Sequence, residues 1–224
     1  MSNPERPHKR SPKEIIEEAQ PANVEHAFVK RSAGEAQYVG KGTGGEVSSP
    51  VSVFESGVYN FIHTHPSKIS EPDEQLRKTC VEMGLEEKDL ENVGAIAALH
   101  SVTDIGPFLS IDDFKFATIA VRDPESGELL GYNVLKKTAK TPHFVIDTNS
   151  FNAVWKSAAS VETARKDLVT LRDVRSDSLR KNSPSLYKKE YDSFLKKYGL
   201  KSRLVPAEGY KVNEYGTAFI KKES

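Results

Sequence analysis

Between residues 24 and 64 the hydrophobic positions come in short runs rich in Val, Phe and Tyr, at 25–30, 36–39, 51–55 and 58–64, each broken by glycine-bearing turns. Runs of this length bounded by turn residues predict β-strands. Ahead of them, Ser11-Pro12 followed by Glu14, Ile15, Ile16 and Glu18 reads as a cap and first turn, so a short helix should close an N-terminal arm over residues 1–20. Residues 71–83 have helical composition, with Ser70 as cap, Pro72 in the first turn and Gly84 as the stop. The apolar run 94–102 predicts a buried strand. Ser110 and Asp113 form a capping-box pattern, while Thr118, Ile119 and Val121 favour extended chain, so 110–121 is read as a short helix running into a strand. A turn at 123–127 precedes a strand at 129–135.

Past Phe151 the pattern becomes helical, over 154–176 and again from Ser183-Pro184 to Gly199. In the second of these helices Tyr187, Tyr191, Phe194 and Tyr198 share one face, which predicts a stripe packed on the core. The expected fold is α/β in the α+β sense. A mixed, mostly antiparallel sheet with flanking helices fills residues 21–150, and a basic helical C-terminal extension follows over 151–224.

A chain of 224 residues has room for one substantial core with an appendage. The hydrophobic fraction of 37% and charged fraction of 29% fit a soluble globular protein. No apolar run approaches the roughly 18 residues of a membrane span. The polar, basic start lacks the apolar stretch of a secretory signal, and the single Cys80 forbids an internal disulfide, so a cytoplasmic location is expected. Lys and Arg balance Asp and Glu at 32 each, but residues 151–224 hold 16 basic against 9 acidic side chains, leaving 16 against 23 before them. The basic third is expected to be a solvated or docking face, with nucleic acid as the partner to test.

The chemistry concentrates in Phe61-Ile62-His63-Thr64-His65-Pro66. Alternate residues of a strand point the same way, so His63 and His65 can share one metal ion at a rim that Pro66 terminates. A catalytic zinc needs a third protein ligand and an open position for water, and a carboxylate base must stand near. Glu25 opens the first strand of the same region. Two Ser-x-x-Asp candidates are taken after the histidines: Ser70-Glu71-Pro72-Asp73, separated from Pro66 by three residues, and Ser110-Ile111-Asp112-Asp113, separated from it by 43.

An upstream Glu, then His-x-His-Pro, then Ser-x-x-Asp resembles the JAMM (MPN-type, JAB-domain) zinc metalloproteases over roughly residues 24–136. The resemblance implies an MPN, cytidine-deaminase-like fold and a Zn2+ held by His63, His65 and an Asp. It makes Glu25 the general base and the serine the partner of the oxyanion. The apolar surroundings of the second run favour Ser110 and Asp113 over Asp73, with residues 67–106 as an insertion beside the site. The implied activity is hydrolysis of an amide or isopeptide bond in a protein substrate, ubiquitin-like conjugates included. The alternatives are a non-catalytic MPN-like scaffold and a nucleic-acid-associated JAMM-like protein. Glu35, Glu46 and Glu55 are rival bases. His8, His26, His100 and His143 are read as surface or core residues, Cys80 as structural, and the Gly40–Gly45 loop as a hairpin connection.

Overall fold

Every predicted strand that falls within residues 11–31, 36–42, 58–69, 72, 74–111, 113–142 and 159–223, the residues that the computed structural model describes, joins one sheet, except 94–102. The predicted strand at 51–55 lies outside them. The strands are β1 (His26–Arg31), β2 (Gln37–Lys41), β3 (Val58–Pro66), β4 (Phe116–Arg122), β5 (Leu129–Lys137) and β6 (Leu200–Pro206), in the order β2-β1-β3-β4-β5-β6. Neighbours are antiparallel except β3 and β4, which run parallel. The chain is thus mixed α and β, with a mostly antiparallel six-stranded sheet and flanking helices.

A parallel pair cannot be closed by a hairpin and needs a long crossover. Here it carries α2 (Glu74–Glu82), a 3-10 helical stretch (Glu87–Ile96) and α3 (Val102–Ser110). These pack on one face of the sheet together with α4 (Ala159–Arg180) and α5 (Pro184–Lys197), around a core that includes Val29, Leu90, Ile105, Phe108, Leu135, Leu171 and Tyr187. Cys80 is part of the same core. Tyr187, Tyr191, Phe194 and Tyr198 are all buried, which is the packed stripe their spacing predicts.

The opposite face is covered at one end by α1 (Pro12–Glu18), whose Ile15 and Ile16 meet Phe28, Ile62, Ala120 and Leu129. Helix α1 starts where the sequence places it. The Ser11 hydroxyl accepts from Glu14 N at 3.3 Å, and the Glu14 carboxylate accepts from Ser11 N at 2.6 Å. Its far end is held by Arg122, a fully buried guanidinium that donates to the carbonyls of Glu17 (2.9 Å), Ala19 (2.5 Å) and Gly127 (3.1 Å).

Three segments differ from expectation. The run 94–102 is no strand: it ends the 3-10 stretch, turns, and enters α3. Its Ile96, Ala97, Ala98 and Leu99 are buried all the same, and burial alone does not separate strand from helix or loop. Ser110 ends a helix instead of opening one, because α3 begins eight residues earlier, at Val102, and tolerates Pro107 with the loss of one backbone bond. The C-terminal third supplies strands as well as helices. Gly199, at φ +61°, turns the chain from α5 into β6, which pairs with β5, and a hairpin of β7 (Tyr210–Val212) and β8 (Phe219–Lys221) follows. A side chain at Gly199 would come within 2.7 Å of the Lys140 backbone. Among the described residues no helix is long and apolar enough to cross a membrane.

Replacing Arg122 by Met should leave three carbonyls without their charged donor and destabilise the fold by about 3 kcal/mol. The loss would be read as a lower urea midpoint, with α1 amides the first to lose protection from hydrogen exchange. An unchanged midpoint would deny the guanidinium this role.

Candidate metal centre

The antiparallel register of β1 on β3 sets Ala27 opposite His63, so two residues back along the chain Glu25 comes level with His65. On the other side, the parallel register sets Ile119 beside His63 and Val121 beside His65, giving both imidazoles an apolar floor. Glu25, His63 and His65 form a group that could hold a metal ion. Each offers a ligand atom, and these atoms all lie within 4.8 Å of one another. The two Nε2 atoms are 2.9 Å apart.

A second carboxylate completes the cluster. Asp104 Oδ1 lies 3.0 Å from His63 Nε2, and its Oδ2 lies 3.8 Å from His65 Nε2. Asp104 is the third residue of α3, and its position follows from how that helix starts. Ser101 donates to Asp104 Oδ2 from both its backbone N (2.6 Å) and its hydroxyl (2.8 Å), a capping arrangement that leaves Oδ1 turned toward His63. The cap thus fixes the carboxylate for a second purpose.

The segment before Ser101 is fastened residue by residue. His65 Nδ1–H donates to Ala97 O at 3.2 Å, and Asn133 donates to Ala98 O at 2.7 Å. Tyr187 donates to His100 O at 2.7 Å, and the Tyr191 hydroxyl meets His100 Nδ1 at 3.2 Å. Helix α5 therefore reaches the turn that presents Asp104. The bond to Ala97 commits the Nε2 lone pair of His65 to the cluster, the usual arrangement for a metal-binding imidazole. Among the described residues His63 Nδ1 has no hydrogen-bond partner, and its ring stacks on Phe61, with centroids 5.6 Å apart.

The charges follow from this packing. Burial opposes a proton on His63, but the Asp104 carboxylate, by charge and hydrogen bond, outweighs it and holds His63 above its ordinary 6.5. Burial and the neighbouring His63 push His65 down to about 4. Burial would raise Asp104, yet His63 holds it well below the usual carboxylate range. The side chain of His63 is 1% exposed, whereas those of Glu25, His65 and Asp104 are 9, 12 and 13% exposed, so any open coordination position faces their side.

The residues fit a divalent ion. The donors are two imidazoles and two carboxylates, and ligand atoms about 2.1 Å from a tetrahedral ion stand about 3.4 Å from each other, within the 2.9–3.8 Å found among the two histidines and Asp104. Comparison with protein-family models, curated proteins and solved structures finds no match to this chain. What the site can do rests on its own geometry.

Of the residues read from sequence as site residues, the structure brings together Glu25, His63 and His65. It does not bring in Asp113 or Ser110. Asp113 is exposed on the turn between α3 and β4, and the Ser110 hydroxyl donates to Gly106 O at 2.8 Å within its own helix. Ser70, Asp73, Glu35, Glu46, Glu55 and His143 lie outside the described residues. Ser101-Val102-Thr103-Asp104 is a further Ser-x-x-Asp run that the sequence reading passed over, because a strand was drawn through 94–102. Its capping pattern after an apolar run was the available signal.

Two outcomes test the centre. With Zn2+ offered as a probe, Asp104→Ala, His63→Ala and His65→Ala should each lower the metal bound from about one ion per chain to near zero, whereas Asp113→Ala should leave it unchanged; a loss confined to Asp113→Ala would refute the assignment. The second test is pH. Metal capture displaces a proton from His63, raised above 6.5, and none from His65, which is neutral above about 4. Apparent affinity should therefore rise about tenfold per pH unit from about pH 5 and level off only above the raised pKa of His63, with one proton released per ion below it. Calorimetry in two buffers of different protonation enthalpy counts that proton.

Proposed function

We propose that this chain is a zinc-dependent peptidase or isopeptidase of the JAMM kind, with an MPN-like fold, in which His63, His65 and Asp104 hold the ion and Glu25 is the general base. The observation that carries the reading is the convergence of two strand imidazoles, the cap-held carboxylate of Asp104 and a second carboxylate on the facing strand in one buried pocket wall. The order Glu, His-x-His-Pro, Ser-x-x-Asp is kept, with Ser101 and Asp104 as its last element.

A bound zinc ion would supply Lewis acidity toward water and toward a carbonyl oxygen. Glu25 has the placement of a base: its carboxylate lies 3.7 Å from His65 Nε2 on the partly open side of the cluster. There it takes the proton from the attacking water and returns it to the departing amine, which allows the C–N bond to break with a neutral leaving group. Ser101 orients Asp104 through two hydrogen bonds, and Thr103 Oγ1, 2.6 Å from Ser101 Oγ, keeps a second hydroxyl in place beside it. When the Ser101 hydroxyl turns from Asp104 toward substrate it donates to the developing oxyanion, the role the resemblance gives this serine. The substrates in view are amide or isopeptide bonds of proteins, conjugates of ubiquitin-like modifiers among them.

Glu25→Gln separates binding from chemistry. It should retain about one zinc per chain and lose at least about 100-fold in turnover of lysine-ε-amide and peptide substrates presented as a fluorogenic panel. Zinc-loaded parent protein that cleaves nothing in the panel, or a Glu25→Gln variant as active as the parent, would leave a metal-binding scaffold as the reading.

A further inference from the structure

The half of the sheet face not covered by α1 is a row of basic and aromatic side chains. The registers align Lys30, Asn60, Phe116, Lys136 and Lys201 across five neighbouring strands. Arg203 stands in the next row, beside Val134. At about 4.8 Å per strand the first row is about 19 Å long. Lys136, Lys201 and Arg203 are exposed and Lys30 is half-buried. Phe116 is flanked by Tyr59 at 5.0 Å between ring centroids, and the Lys136 ammonium lies 5.6 Å from the Phe116 ring. Tyr59 itself is 40% exposed.

What distinguishes these cations is that they share one sheet face whose strands carry no acid. On the helices of the basic third, Arg172, Arg180, Lys181, Lys188 and Lys197 are each in an ion pair with an aspartate. Among the described residues no ion pair is formed by Lys30, Lys136, Lys201 or Arg203. None of the six strands contains an Asp or Glu. A solvated protein surface normally mixes the two signs, and a face that carries several cations and no acid beside an exposed ring has the composition of a platform on which bases stack and phosphates are neutralised.

We infer that this face binds single-stranded nucleic acid, with Lys136, Lys201 and Arg203 meeting phosphates and Tyr59 with Phe116 receiving a base. An acidic protein segment would use the cations but has no need of the rings. The face lies on the opposite side of the sheet from His63 and His65, so the inference is independent of the metallopeptidase reading.

The test uses the full chain and a fluorescently labelled 20-nucleotide oligothymidylate, with an oligouridylate in parallel, followed by anisotropy between 50 and 200 mM salt. The parent should bind with a steep salt dependence. The triple variant Lys136→Ala/Lys201→Ala/Arg203→Ala should lose at least about tenfold in affinity and about 2 from the logarithmic salt slope, at about 0.7 per phosphate contact on a single strand. Tyr59→Ala should lose about five- to tenfold with the slope unchanged. Lys189→Ala/Lys196→Ala on α5 serves as the control and should bind as the parent does. All these side chains are exposed, and circular dichroism confirms folding. Absence of binding at 50 mM salt overturns the inference, as does an equal loss in the α5 control. So does a parent displaced equally well by polyglutamate with Tyr59→Ala unaffected, which would mark an acidic protein as the occupant.

Discussion

The parallel pairing of β3 with β4 is the constraint on which the rest depends. In an otherwise antiparallel sheet it forces the chain to leave the end of β3, just past His65, and return to the far end of β4. The returning segment must pack on the face toward which His63 and His65 point. Helix α3 is therefore delivered above the two imidazoles, and with it Asp104. An antiparallel hairpin at this point would have left the histidines on an exposed rim with no second element to bring a carboxylate down.

Burying four ionisable side chains is unfavourable unless each finds a partner. The cluster meets that demand in layers. His63 and Asp104 neutralise each other, Ser101 takes the remaining oxygen of Asp104, and Ala97 fixes His65. Tyr187, Tyr191 and Asn133 in turn hold the 98–100 turn from behind. The same network ties the C-terminal third to the centre, since α5 lies under the turn and β6 extends the sheet beside β5. Helices that sequence reading treats as an appendage are part of what gives the carboxylate its position.

The two faces of the sheet have been put to different use. One is closed by helices and carries the two histidines with Glu25 and Asp104. The other is closed by α1 only over Ile62, Ala120 and Leu129, with Arg122 anchoring that helix. Its remaining surface carries Lys136, Lys201 and Arg203 around Phe116 and Tyr59. Alternation along each strand separates these properties so cleanly that neighbouring residues such as His63 and Thr64 serve opposite sides.

Local chemistry was legible in the sequence. Ser11-Pro12 with Glu14 dictates a capped helix, the spacing from Tyr187 to Tyr198 dictates a buried stripe, and His63 and His65 two apart at a strand end dictate a shared direction. These are short-range matters of dihedral preference and periodicity, carried by the residues themselves. The partner carboxylate was not legible, because Ser-x-x-Asp is a helix-capping pattern wherever it occurs, and at least three such runs follow the histidines. Nor was the fate of 94–102, since an apolar run is buried equally well as strand, turn or helix. Strands β1 to β5, the histidine pair and its apolar setting can be read from local pattern. That β4 lies parallel to β3, that α3 begins at Val102, and hence that Asp104 and not Asp113 meets the imidazoles follow from long-range strand pairing and packing that no local pattern encodes.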